Sequence, residues 1–424
     1  MKKLRNYLLS AVVMLLFTCT FMGIKAEAAA PAQVTGLKQT DAYTSSIDLE
    51  WNALLGNDIR YEVYISTDKV NWVNKGYTSY NDCYVSGLNA GTTYYVKVRA
   101  YTHVYDSTTY KYVDTFGVYS SILECVTVPS AKPTDLKKTS STTTSITLKW
   151  GKAAGANAYI VEYWPTGTSS DNAKTTVTTK NSIKLSKLKK NTEYNVYIYA
   201  IRRTSDKKFS TKASSYLYES GLAVTPGKVT DVTVFDYDEK KGQITVKYAY
   251  NDCADGYTAE VWSAHNSSTK KDAKIKGANS KTEYSSYIDL KKSTLKKNRF
   301  FKVRVRAYSL TSSGAKKYGA WSSWVYVCPE PEVDLESTSS GMKVSWDKVS
   351  GAERYVVYAS TKQKSGYKKV ATTKKTSYTV KKIGKTALKD GKRYYFYVVP
   401  QNKVGKKYYN SDYTPWCWST VYRK

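Results

Sequence analysis

The chain reads as an all-β protein: four two-sheet β-sandwiches in tandem, forming an extended array after an N-terminal leader. Three observations predict this. Three strand-like blocks recur in the same order about every hundred residues, and a fixed internal period defines a repeat architecture before any local reading does. Within each block apolar residues alternate with polar or aromatic ones, the period of a strand with one buried face. No stretch beyond the leader keeps the apolar period of an amphipathic helix.

The blocks keep their register through the chain. The first reads SIDLEW ending at Trp51, SITLKW at Trp150, GQITVKY at Tyr248 and GMKVSW at Trp346. The second starts at Arg60 (RYEVYIS), Ala158 (AYIVEYW), Gly256 (GYTAEVW) and Arg354 (RYVVYAS). The third starts at Leu88, Leu188, Leu295 and Leu388, each six residues before an aromatic. Together they divide the chain into residues 31–128, 129–225, 226–328 and 329–424, here modules one to four. The junctions carry Pro129 and Pro133, Pro226, and Pro329 and Pro331. Such proline-bearing segments act as semi-rigid spacers, so modest bending is expected at each junction.

The strand-B aromatic, the Tyr-x-Val strand and the Leu-x5-Tyr-x-Val-x-Val run resemble the fibronectin type III module, an immunoglobulin-like sandwich. The resemblance implies a tyrosine corner, in which a hydroxyl is tied back to nearby backbone. Tyr94, Tyr194 and Tyr394 match it, while Phe301 has no hydroxyl to offer. Module four, with VVYASTKQKSGYKKVATTKKTSYTV, is similar to modules of secreted Gram-positive bacterial proteins. In module three, Trp321-Ser-Ser-Trp324 resembles the Trp-Ser-x-Trp-Ser motif of cytokine-receptor modules, with Val325 where the final Ser would stand. That resemblance implies a structural ladder in which Arg304 and Arg306 interleave with Trp321 and Trp324.

Residues 1–28 read as a signal peptide. Lys2, Lys3 and Arg5 precede the apolar run Leu8–Ile24, and Ala26-Glu27-Ala28 offers a small-x-small cleavage site. A secreted or cell-surface protein is expected, without a membrane span, because no later run of about twenty apolar residues exists. Neither Cys19, preceded by Phe17-Thr18, nor the last residues read as a tether. Five cysteines remain: Cys83, Cys125, Cys253, Cys328 and Cys417. The sandwich topology puts the pairs of modules one and three on different sheets or opposite poles, beyond the roughly 7 Å a disulfide spans. Free thiols are expected.

Charge is uneven. The formal net charge is +31, yet module one holds seven bases against ten acids, whereas modules two to four carry +10, +9 and +12. Lysines recur in the turn before the tyrosine-corner strand: Lys189 and Lys190; Lys296, Lys297 and Arg299; Lys389, Lys392 and Arg393. Module one has Asn89-Ala90-Gly91 there. A row of basic turns suits a long polyanion, since each neutralised charge releases counterions and weak contacts add along the polymer. Wall teichoic acid, acidic polysaccharide, glycosaminoglycan and extracellular DNA are the candidate partners, with no sequence-specific nucleic-acid recognition. Solubility alone is the bland alternative.

Tyrosine is abundant, at 41 residues. The strand phase places Tyr95 and Tyr101 in module one, Trp164, Tyr197 and Tyr199 in module two, and Tyr358, Tyr395 and Tyr397 in module four on an outer sheet face. Cross-strand aromatic pairing accounts for such a face; a platform for sugar rings or a protein partner is the functional alternative.

Catalytic chemistry has no foothold. His103 and His265 lie in different modules, which excludes a Ser–His, Cys–His or zinc constellation inside one domain. Asp236-x-Asp238-Glu239 lacks the ligand spacing of a calcium loop. The expectation is a non-enzymatic binding or spacer protein with no cofactor or metal, associating with anionic polymers through modules two to four. A glycan-binding protein, or a scaffold partner of a secreted hydrolase, is the alternative.

Overall fold

A computed structural model describes residues 29–424 apart from 57, 214, 266–270, 279, 283–284, 297–298 and 413–416. The expected leader lies outside the described residues, and so does Lys297. In module one the strands are β1 (Lys38–Ala42), β2 (Ser46–Glu50), β3 (Ile59–Ser66), β4 (Val73–Thr78), β5 (Asp82–Ser86), β6 (Thr93–Asp106), β7 (Lys111–Phe116) and β8 (Leu123–Val126). β1, β2 and β5 form a three-stranded sheet; β4, β3, β6 and β7 form a larger one, with β8 also paired to β6. The same split recurs in the other three modules, around the central pairs Ala158–Pro165 with Glu193–Ile201, Gly256–Ser263 with Phe301–Leu310, and Arg354–Ser360 with Arg393–Val404.

Alternation explains the cores. In module one Ile47 and Leu49, Tyr61 and Val63, and Val96 and Val98 come from strands of both sheets and meet in one buried cluster. Each such side chain contributes about 1.5–3 kcal/mol by leaving water. The strand-B aromatic packs against the strand-C tyrosine in every module: Trp51–Tyr61 at 5.3 Å, Trp150–Tyr159 at 5.4 Å, Tyr248–Tyr257 at 4.5 Å and Trp346–Tyr355 at 5.4 Å. The hydroxyls of those four tyrosines accept the backbone N–H of Leu54, Ala153, Asn251 and Val349.

The tyrosine corners form where a tyrosine is present. Asn89, Lys189 and Lys389 each donate a backbone N–H to Tyr94, Tyr194 and Tyr394 at 2.8 Å. In module three Phe301 is fully buried instead, and Tyr237 from the first strand donates its hydroxyl to the Leu295 carbonyl at the same corner. A second substitution in that module brings its own partner: Tyr248 donates to the Ser285 carbonyl at 2.8 Å, whereas the buried indole N–H groups of Trp51, Trp150 and Trp346 have none.

The junctions differ in kind. Between modules one and two, Gly91 and Gly155 meet backbone to backbone, both at positive φ; a Cβ on Gly91 would lie 2.5 Å from the Gly155 Cα. Only glycine permits that approach at that φ. Arg202 clamps the contact through Thr93 and the Gly155 carbonyl. The second junction is also polar, with the Lys138 N–H on Ser312 and the Asn191 amide oxygen accepting from Gly227 and Asn251. The third is largely apolar. Ala264, Phe300, Tyr326 and Cys328 of module three belong to the buried cluster of module four, Tyr326 stacks on Tyr409 at 4.6 Å, and Asp412 accepts the Val234 N–H. Burial of Phe300 turns this junction into a packed seam.

None of the five described cysteines forms a disulfide. Cys83 and Cys125 sit on β5 and β8, strands of opposite sheets. Burial pushes the Cys253 thiol up to about 12 and raises that of Cys328 as well.

Candidate functional site: the aromatic and basic faces

The outer face of the larger sheet in module three is a ladder. Phe301–Leu310 alternates inward Val303 and Val305 with outward Lys302, Arg304 and Arg306. Arg306 lies 3.7 Å from the Tyr318 ring and 4.3 Å from Trp321; Arg304 lies 4.5 Å from Trp321 and 4.3 Å from Trp324; Lys302 lies 4.3 Å from Trp324. Glu260 on the neighbouring strand takes Arg304 at 2.5 Å and Lys274 at 2.6 Å. Burial would raise the Glu260 carboxyl, but its bonds to Lys274 and Arg304 outweigh that and hold it below the usual carboxylate range. Ser322 explains the serine between the tryptophans, since its hydroxyl accepts the Val305 N–H at 3.0 Å.

Module one carries the same device, which the sequence reading missed. Arg99 lies 3.9 Å from Phe116 and 5.0 Å from Tyr119, and Lys97 lies 4.1 Å from Tyr119 and 4.2 Å from Trp72. Glu62 pairs with Arg99 at 2.8 Å, and Ser120 accepts the Val98 N–H at 3.0 Å. The signal was present: Phe116-Gly-Val-Tyr119-Ser120 aligns with Tyr318-Gly-Ala-Trp321-Ser322.

Module two replaces the cations with rings. Trp164, Tyr197, Tyr199, Tyr216 and Tyr218 touch in a continuous cluster, Trp164–Tyr197 at 4.8 Å and Tyr197–Tyr216 at 4.6 Å. Its cation comes from Lys212, 3.8 Å from Tyr199 and paired with Glu162 at 2.8 Å. Burial first, then Glu162, pushes the Tyr199 phenol up to about 12. Two expected outer-face residues are corrected here. Trp164 is only 5% exposed, roofed by Tyr197 and Tyr218, and Tyr101 of module one is 5% exposed beneath Phe116. The open rings of module two are Tyr216 and Tyr218, with Tyr197 and Tyr199 half-buried between them. In module four Tyr358 stacks on Tyr397 at 4.8 Å and Tyr367 packs on Tyr397 at 4.7 Å, with Tyr395 half-buried on the same face.

The basic turns lie at the far pole of each module. Lys189 and Lys190 are exposed next to Asn191 at the second junction, and Lys296 is exposed. Arg299 differs: it is half-buried in the third junction, bridged to Ser350. Lys389, Lys392 and Arg393 are exposed and, with Lys368, Thr361 and Ile383, line a groove of about 530 Å³. Among the described residues no group of three or more His, Cys, Asp or Glu side chains could hold a metal ion. His103 instead stacks on Tyr112 and bonds Asp114, and His265 bonds Asp272. No helix among the described residues is long and apolar enough to cross a membrane.

Two sheets of this topology, repeated along one chain, with tyrosine corners and interleaved outer faces, define a fibronectin type III array, the class of multi-module binding and spacer proteins. Residues 31–115 and 131–216 match the family model of the fibronectin type III domain, so the chain carries fibronectin type III domains. Solved structures similar to it include three such domains of chicken CNTN1, at 17% identity and a TM-score of 0.25 over 70% of this chain and 98% of that one. A two-domain segment of chicken tenascin matches at 19% identity and a TM-score of 0.22, over 44% of this chain and 97% of that one. A Kelch domain-containing protein of Saccharolobus solfataricus is 24% identical over 335 residues, which cover 75% of this chain and 39% of that protein.

Proposed function

We propose that this is an exported, non-enzymatic binding protein whose modules two to four associate with anionic polymers of a cell surface or extracellular matrix. The observation that carries the reading is the placement of its excess cations. Lys189, Lys190, Lys296, Lys389, Lys392 and Arg393 are exposed on turns that recur once per module, and module one lacks both the turn lysines and the positive charge. Cations already engaged in ladders, such as Arg304 and Arg306, have rings and carboxylates around them; the turn lysines are open to a polymer.

Retention on a heparin or teichoic-acid column tests this. Binding should weaken steeply between low salt and about 0.5 M, because screening removes contacts between exposed charges. Replacing Lys389, Lys392 and Arg393 by Gln should lower the slope of log affinity against log salt by about one per residue. Retention that ignores both salt and those substitutions would refute the reading. A second reading, glycan stacking, has support in module two, where Tyr216 and Tyr218 are 43% and 47% exposed at the edge of a contiguous ring cluster. Neutral-glycan binding that Tyr216→Ala and Tyr218→Ala abolish would favour it.

A further inference from the structure

Every junction inside the chain uses one docking rule. The end of the strand equivalent to β6, or the segment just after it, seats on the module before it. Arg202 and Ser205 of module two reach Thr93 and Glu124; Ser312 of module three reaches Lys138; Asn402 and Ser411 of module four reach His265 and Cys328. In module one the equivalent element is a long hairpin. β6 runs for 14 residues and pairs with β7 as far as Asp106 and Lys111. Its rings and aliphatic groups are open: Tyr110 is 79% exposed, Tyr112 61%, Tyr105 50% and Val113 48%. Tyr105 and Tyr112 are partners on one face of the hairpin, Val104 and Val113 on the other, with Tyr110 at the tip, so the projection exposes apolar groups on both sides, as contact sites do.

A matching pole is equally open. The turn of module four that corresponds to the docked poles of modules one to three carries Lys389, Lys392 and Arg393, exposed around the groove that Lys368 and Ile383 help to line. Charge complements shape. The hairpin carries Asp106 and Asp114 against Lys111, with Asp58 beside it, in a module of net −3, while module four is +12. Opposite potentials of this kind steer association and fix its register.

We propose that the module-one hairpin of one molecule seats on the module-four pole of a second copy, repeating between chains the contact made three times within each. The two surfaces are different, so the contact is heterologous and propagates head to tail into rows instead of closing as a symmetric dimer. The inference goes beyond polymer binding. Because Lys389 and Lys392 would serve both, hairpin variants separate the two.

Sedimentation velocity on the purified chain, from about 1 to 100 µM at low salt and again at about 0.5 M, reads the outcome. The chain should form concentration-dependent oligomers that dissociate in salt. Tyr110→Asn with Val113→Lys blocks the head, and Lys389→Glu with Lys392→Glu blocks the tail; each should weaken association at least about tenfold. The head-blocked variant should keep its heparin retention. Mixing the two blocked variants should yield dimers and nothing larger, since only one competent head meets one competent tail. A monomeric wild-type chain, blocked variants that associate like wild type, or a mixture that stays monomeric would each overturn the proposal. Should the double head variant lose its thermal transition, Tyr110→Asn alone provides the head arm.

Discussion

Modules two and three build the outer face of the same sheet from opposite materials. In module three, Lys302, Arg304 and Arg306 separate the rings; Glu260 holds Arg304 and Asp272 holds Lys302. In module two, Asn195, Tyr197 and Tyr199 occupy the matching strand, the rings touch one another, and one lysine sits at the margin. The difference teaches when an aromatic-rich sheet is mortar and when it is surface. Interleaved cations spend the ring faces inside the fold; rings packed on one another leave Tyr216 and Tyr218 turned to solvent.

The largest expected effect tests the mortar. Glu260→Ala leaves Arg304 and Lys274 without their shared carboxylate, and urea unfolding should show a loss of about 3–5 kcal/mol, toward the lower end because Arg304 is a quarter exposed. Glu162→Ala in module two, whose partner Lys212 is 44% exposed, should cost less than about 1 kcal/mol. Equal losses would break the comparison. Next comes ring removal. Trp321→Ala gives up two guanidinium contacts and its packing, about 2–4 kcal/mol, whereas Tyr218→Ser at the open face should stay within about 1 kcal/mol.

The smallest effect is a pH dependence. Glu260 is held below its ordinary value of 4.5, so the folded chain binds its proton less readily than the unfolded chain does. Its contribution is therefore complete above about that pH and is lost as pH falls below it. The melting temperature of module three should drop on acidification through that range, and Glu260→Gln should flatten the drop.

Much of this was legible in the residues. The strand blocks specified the two-sheet modules, because one buried face imposes a period of two. The corners at Tyr94, Tyr194 and Tyr394 followed from a local motif, as did the positions of Trp321 and Trp324. Trp164 shows where such reading ends: its phase does point it to the outer face, but its burial depends on Tyr197 and Tyr218, which reach over it from other strands. The module-one ladder was hidden for a different reason, since Phe116 and Tyr119 stand where module three has Tyr318 and Trp321. Arg299 and Phe300 were illegible because their surroundings belong to the next module.

Phe300 has a mechanical consequence. Its ring is lodged in the interior of the following sandwich, so tension applied along the molecule cannot strip module three without tearing the lining of module four. The first two sandwiches meet through glycine backbone and a few hydrogen bonds and can yield separately. Stretched from its ends, the protein should behave as two independent links followed by one double-length link.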